Sequence, residues 1–212
     1  MILKFHYCIL LFLCSVCVNA FWLNWSSFFN TGSCKHKYID GGVSKSDADF
    51  ILKKHNNLRR LIANGTLSGQ PRGVNLKKLK WDKDLAEQAQ IIANTCVYGH
   101  APVDESRWST GQNLYRKRST KDVKNPDWNR AIQSWIDEHE KYTFSTEKRK
   151  GTGHYTQMIW ATTEFVGCGY SYFETKEKMK YQKIYVCNYG PGGNIKGMLP
   201  YETGTKGCEN LC

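Results

Sequence analysis

The sequence predicts an α+β fold: three amphipathic helices, then a small antiparallel sheet, stapled by disulfides. Three observations carry this. Apolar side chains recur at helical intervals in three stretches of the first two thirds of the chain. Past Ala161 they alternate one by one, as in half-buried strands. Six cysteines lie beyond an N-terminal segment that has the make-up of an export signal.

That segment comes first. Met1 to Ala20 carries one charge, Lys4, then an apolar run from Cys8 to Val18, and ends Val18-Asn19-Ala20. This is the three-part pattern of a cleaved secretory signal. The run is too short for a membrane anchor, which needs about 20 apolar residues. Removing residues 1–20 from 212 leaves 192, enough for one domain with a substantial core. Cys8, Cys14 and Cys17 leave with the signal, and Cys34, Cys96, Cys168, Cys187, Cys208 and Cys212 remain. Six cysteines in an exported chain imply up to three bridges, with about 15 pairings open. Asn24-Trp25-Ser26 and Asn64-Gly65-Thr66 are candidate glycosylation sites, and Asn64 is the better one because Asn-Gly marks an exposed turn. The formal charge of +11 falls to +10 with loss of Lys4. A basic surface keeps a protein soluble, and it also favours an anionic glycan or lipid surface. Export argues against nucleic acid as partner.

Residues 21–43 show no periodicity and are expected to form an irregular arm. Ser44, with Asp47 three residues on, reads as the cap of a first helix. Its buried stripe is Phe50, Ile51, Leu58, Leu61 and Ile62, and Asn64-Gly65 stops it. Gly65, Gly69, Pro71 and Gly73 make the next stretch a loop, with Leu79 and Trp81 a short extended piece. Asp82 caps a second helix with a stripe from Leu85 to Cys96. Residues 99–124 are polar and predicted irregular. Asn125-Pro126 opens a third helix, with proline at its first position, and Trp128, Ala131, Ile132, Trp135 and Ile136 as its buried face. Val166, Cys168, Tyr170 and Tyr172 alternate in one strand, and Tyr185, Cys187 and Tyr189 in its return. Glu174 to Lys180 forms the hairpin turn. Cysteines on neighbouring antiparallel strands can bridge directly, which supports Cys168–Cys187.

Four segments then fall into a recognisable order: His55-Asn56-Asn57-Leu58-Arg59, Gly111-Gln112-Asn113-Leu114, Gly153-His154-Tyr155-Thr156-Gln157-Met158-Ile159-Trp160, and Tyr185 through Asn194. Together they resemble the signature motifs of the CAP superfamily, which holds cysteine-rich secretory proteins, antigen 5 and plant pathogenesis-related class 1 proteins. The resemblance is nearest to arthropod venom allergen 5-like proteins. It implies a three-layer α-β-α sandwich with a wide cleft, over residues 44–200, followed by a short cysteine-containing tail, 201–212. It implies a cleft tetrad of two histidines and two acids. The matching positions are His100, Gln112, Glu138 and His154. Gln112 departs from the pattern by replacing a carboxylate with an amide, as antigen 5 proteins often do. The antigen 5 pattern also implies Cys34–Cys96, which leaves Cys208–Cys212 by elimination.

His100 and His154 could share a Zn²⁺ or Cu²⁺ ion with Glu138, form an acid–base pair, or simply hydrogen-bond the neighbouring side chains. No metalloprotease helix motif and no nucleophile elbow appears, although Ser109 and Thr156 carry hydroxyls near the histidines. Replacing Gln112 by Glu is expected to tighten zinc. The incomplete tetrad favours a non-enzymatic, monomeric, extracellular binding protein. Its partner would be a small apolar ligand, such as a sterol or fatty acid, or a host protein, and it would need no cofactor. The resemblance places a sterol loop at Tyr185–Asn194 and a lipid groove between the first and third helices. The competing expectation is a cleft hydrolase using His100, Glu138 and His154.

Overall fold

A computed structural model describes residues 34–147 and 150–212. The signal segment and Asn24 lie outside the described residues. In chain order the elements are β1 (Lys37–Gly41), α1 (Lys45–Ala63), β2 (Lys80–Trp81), α2 (Lys83–Asn94), β3 (Gly111–Ser119), α3 (Trp128–Ile136), a 3-10 turn (Asp137–Lys141), α4 (Gly153–Met158), β4 (Phe165–Glu174) and β5 (Tyr181–Gly190).

Local chemistry sets the helix starts. The Asp47 N–H donates to Ser44 Oγ at 3.1 Å, and the Ser44 hydroxyl donates to the Asp47 carboxylate at 2.7 Å. This fills donors that the first turn of α1 cannot satisfy itself. Asp82 caps α2 by accepting from the Leu85 N–H at 2.9 Å. The third helix starts later than its sequence suggests. Its cap is Asp127, which accepts from the Arg130 N–H at 3.0 Å, so Pro126 lies outside the helix rather than at its first position. An aspartate side chain can do what neither Asn125 nor proline does at that point.

The sheet runs β1-β4-β5-β3 with antiparallel pairing, and β2 lies parallel to the start of β4. Strand alternation splits β4 and β5 between two cores. Cys168, Tyr170, Tyr172, Tyr185, Cys187 and Tyr189 pack on one side with α1, α3 and α4. Phe173, Ile184 and Val186 pack on the other side with Ala89, Ile92 and Ala93 of α2. This is the expected α-β-α sandwich. Gly167 and Gly169 fix how close α2 lies. A Cβ on Gly169 would sit 2.4 Å from Gln90 N, and one on Gly167 2.2 Å from Ala86 N.

Two strands and a helix were not anticipated. β1 falls in the arm expected to be irregular, and β3 falls in the polar stretch 99–124. Both are edge strands, so most of their side chains meet solvent and no alternation marks them. α4 has only six residues, too few to show a helical period. The bridges are Cys34–Cys96, Cys168–Cys187 and Cys208–Cys212. Cys168 and Cys187 face each other in register, so the hairpin itself brings them together. Residues 201–212 are tied to the body. The Tyr201 hydroxyl donates to Pro71 O and the Cys212 N–H to Leu76 O, both at 2.9 Å.

Candidate functional site

A cleft of about 640 Å³ opens where β3, the 3-10 turn and α4 meet, and it is lined by His100, Gln112, Glu138 and His154 among others. The four tetrad positions thus converge from four separate stretches of chain. Glu138 binds the start of α4. Its Oε1 accepts from His154 Nδ1 at 2.6 Å, and its Oε2 accepts from the backbone N–H of His154 at 2.9 Å and of Tyr155 at 3.1 Å. The His154 ring stacks on Trp135 of α3, with centroids 6.0 Å apart. On the facing wall, Gln112 Oε1 accepts from His100 Nδ1 at 3.0 Å and from the Ala101 N–H at 3.2 Å. The Gln112 amide donates to Ala101 O at 3.3 Å and to Asn188 Oδ1 at 2.9 Å. Both imidazoles therefore donate through Nδ1 to a side-chain oxygen, and that contact fixes how each ring is turned.

A buried polar chain lies behind this wall. Asn113 donates to the His154 carbonyl at 3.0 Å and to the Tyr189 hydroxyl at 3.1 Å. Tyr189 in turn donates to His55 Nε2 at 2.9 Å, and His55 Nδ1 donates to Ile51 O at 2.8 Å. His55 is fully buried, and that burial lowers its pKa to about 4, so it is neutral and an acceptor at Nε2. Near it, Arg59 is also fully buried and donates to the carbonyls of Lys77, Met158, Trp160, Ala161 and Thr163. It clamps the segment after α4 to α1. His55 and Arg59, one helical turn apart, are thus architectural residues that hold the signature segments in place.

Residues 52–189 match the CAP family, the cysteine-rich secretory protein family. The chain is 41% identical over 168 residues to a salivary antigen-5 of Dipetalogaster maximus, covering 75% of this chain and 67% of that protein. It is 39% identical over 183 residues to venom allergen 5 of Vespula flavopilosa, covering 81% and 88%. The chain belongs to the CAP family. Among solved structures, the Schistosoma mansoni venom allergen-like protein 4 aligns with a TM-score of 0.58 at 32% identity, over 77% of this chain and 97% of that one. The structure of NaASP2 with Zn²⁺ aligns with a TM-score of 0.67 at 24% identity, over 82% and 99%, and shows the shared fold. The chain spans about half the length of two further relatives, from Trittame loki (47%) and Tityus serrulatus (46%).

Within this CAP domain the cleft fits a metal only in part. Two Nε2 atoms are available, while both Glu138 oxygens and the Gln112 oxygen are already engaged. Among the described residues no group of three or more His, Cys, Asp or Glu is placed to hold an ion. A zinc centre usually takes at least three protein ligands, and the cleft presents two imidazole nitrogens. A carboxylate at position 112 would face Ala101 O and Asn188 Oδ1, both acceptors.

Thr156 is not poised as a nucleophile. Its hydroxyl bonds to Thr152 O at 3.0 Å and Asn194 Oδ1 at 2.6 Å rather than to an imidazole. Ser109 is exposed at the edge of the fold. Tyr185 to Gly190 of the expected sterol loop is the second half of β5, with Tyr185 and Tyr189 fully buried. Asn194, at φ +59°, does border a second cavity of about 610 Å³, walled by Tyr142, Trp160, Ile195, Met198 and Pro200. Sequence reasoning met Asn113, Asn188 and Asn194 only as parts of the signature segments and assigned them no role, because a lone asparagine carries no periodic signal. Asn64 is exposed at the C-cap of α1.

Proposed function

We propose that this chain is an exported, antigen 5-like CAP protein that acts by binding and carries out no bond-making chemistry of its own. One observation supports this above the rest. Glu138, the sole carboxylate of the tetrad, spends both oxygens capping α4 and orienting His154. A carboxylate engaged in this way serves as a cap and an orienting group, and is not itself the base that takes a proton from substrate. Export is supported by the N-terminal pattern and by relatives named as salivary and venom proteins. Among the described residues, no helix is long and apolar enough to cross a membrane.

The proposed ligand is a small apolar molecule, a sterol or fatty acid, held in the cavity between Trp160, Met198 and Pro200. The alternative partner is a host extracellular protein. Native mass spectrometry of the secreted protein, followed by titration with a sterol and a long-chain fatty acid, tests the reading. A bound mass of one lipid is expected. A clean apo spectrum with no uptake would remove the lipid version.

A cleft hydrolase is the second reading, supported by the Glu138–His154 contact that leaves Nε2 open. Turnover of a broad peptide library by the wild type, lost in His154→Ala, would establish it. Equal turnover in the two proteins, or none, would end it.

A further inference from the structure

The cationic side chains are concentrated on one edge of the sheet. From Arg116 to Asp127, counted together with Lys183, cations outnumber acids six to two. Arg116, Lys117 and Arg118 end β3, which is an edge strand, and all three are exposed. Lys121 and Lys124 follow in the exposed connection and make no ion pair among the described residues. Lysines and arginines on an edge strand commonly discourage edge-to-edge pairing. That role accounts for the charges on β3, whereas one further lysine lies buried on the inner strand β5.

Lys183 on β5 is 6% exposed. Its ammonium donates to Asn125 O and lies 5.1 Å from the centre of the Tyr172 ring. Lys117 is its direct partner in the β3–β5 register. Like charges placed directly opposite destabilise a sheet, and a buried ammonium adds a desolvation cost. Burial, and then the neighbouring Lys117 charge, lower the Lys183 pKa. The nearby acids are already engaged. Asp127 caps α3 and reaches Lys117 at 3.6 Å, while Asp122 accepts from the Tyr172 hydroxyl at 2.6 Å. Arg118 reaches Glu177 only at 3.9 Å. Lys117, Lys121 and Lys183 line a recess of about 60 Å³ together with one acid, Asp127, which is paired with Lys117. That is roughly the room of two water molecules, so a single tetrahedral oxyanion group enters and a sugar ring does not.

We propose that this edge binds a sulfated polysaccharide, with one sulfo group seated against Lys117, Lys121 and Lys183 and further sulfo groups carried by Lys124 and, where the polymer crosses the edge, by Arg116 and Arg118. A linear polyanion suits the arrangement because the cations follow an exposed edge strand and its continuation, with Lys117 on one side of the strand and Arg116 and Arg118 on the other. A seated anion offsets both the Lys117–Lys183 repulsion and the burial of the Lys183 ammonium. The site is separate from the cleft and from the apolar cavity, so it stands whether or not the protein carries lipid.

The test uses the secreted protein on immobilised heparin and in titration with heparin fragments. Two triple variants carry the same loss of charge: Lys117→Gln/Arg118→Gln/Lys121→Gln on the edge, and Lys53→Gln/Lys83→Gln/Lys206→Gln elsewhere on the surface. The edge variant is expected to lose at least about tenfold in affinity at 0.15 M salt and to show a shallower salt dependence, by about two to three charges. The control variant is expected to bind within about twofold of wild type, and desulfated heparin is expected not to bind. Lys183→Gln tests the recess, with an expected loss of affinity at unchanged net surface exposure. Equal losses in the two triple variants would reduce the effect to overall charge and overturn the inference. So would undiminished binding of desulfated heparin, or no heparin binding by wild type. Edge-dependent binding to phosphatidylserine vesicles without heparin binding would make the edge a membrane contact and equally overturn it.

Discussion

Replacing Glu138 by Ala separates the two jobs that the structure gives this side chain. Glu138 makes three hydrogen bonds, one to the His154 imidazole and two to backbone N–H groups in the first turn of α4. Its side chain is only 16% exposed, so water replaces these contacts poorly. Loss of the two backbone contacts resembles loss of a helix cap, about 1 kcal/mol and up to about 2. A hydrogen bond to a charged group contributes about 1.5–3 kcal/mol. Glu138→Ala should therefore cost about 2.5–5 kcal/mol. His154→Ala removes only the imidazole contact and the stacking on Trp135, from a side chain 32% exposed, and should cost about 1–2 kcal/mol. Urea unfolding of both single variants and the double variant completes a cycle. In the His154→Ala background, Glu138→Ala should still cost about 1 kcal/mol, because the backbone contacts persist there. A cost near zero in that background would refute the capping role and make Glu138 a partner of the imidazole alone.

Gly169→Ala drives a Cβ into the backbone of α2 at Gln90. It should cost about 1–3 kcal/mol or prevent folding, as read by thermal unfolding, while an alanine at the open Gly99 should cost far less. His55 gives a pH dependence of definite sign. Its folded pKa of about 4 lies below the usual 6.5, so as pH falls from 6.5 to 4 only the unfolded chain takes up the proton. Stability should drop by about 3 kcal/mol over that window, and His55→Gln should remove that part of the slope in urea titrations at pH 7, 5 and 4. Zn²⁺ should bind wild type only weakly, with Kd of about 1–100 µM, because two nitrogens supply half of a structural site. Isothermal titration should show the heat lost in His100→Ala, and a nanomolar Kd would contradict the two-ligand reading.

The parts of the fold legible in the sequence are those that bury one face and expose the other. α1 and α2 were readable because their buried residues recur at helical spacing and Ser44 and Asp82 announce their starts. The β4–β5 hairpin was readable from alternation alone, even though both faces are buried, because aromatic residues and cysteines fill one face and smaller side chains the other. β3 was not legible. Only Asn113 and Leu114 of its nine residues are buried, and cationic side chains occupy its outer end. The tetrad was legible through motif resemblance, since nothing in the spacing of His100 and His154 says that they meet. The polar supports were legible only as members of the signature segments. Asn113, Asn188 and Tyr189 act through bonds that join residues far apart in the chain, and only the folded sheet shows who their partners are.

Gln112 is the residue on which the character of the cleft turns. Its surroundings present two donors, His100 Nδ1–H and the Ala101 N–H, and two acceptors, Ala101 O and Asn188 Oδ1. An amide satisfies both pairs at once, since it accepts at oxygen and donates at nitrogen. A carboxylate satisfies only the donors and leaves two buried-side oxygens facing a negative charge. The substitution is thus matched to the local hydrogen bonding and is more than a missing acid. It leaves Glu138 as the one charge of the tetrad, and Glu138 is held by the first turn of α4. What the cleft offers to a visiting molecule is the Nε2 edges of two oriented imidazole rings, while its one carboxylate is engaged with the start of α4.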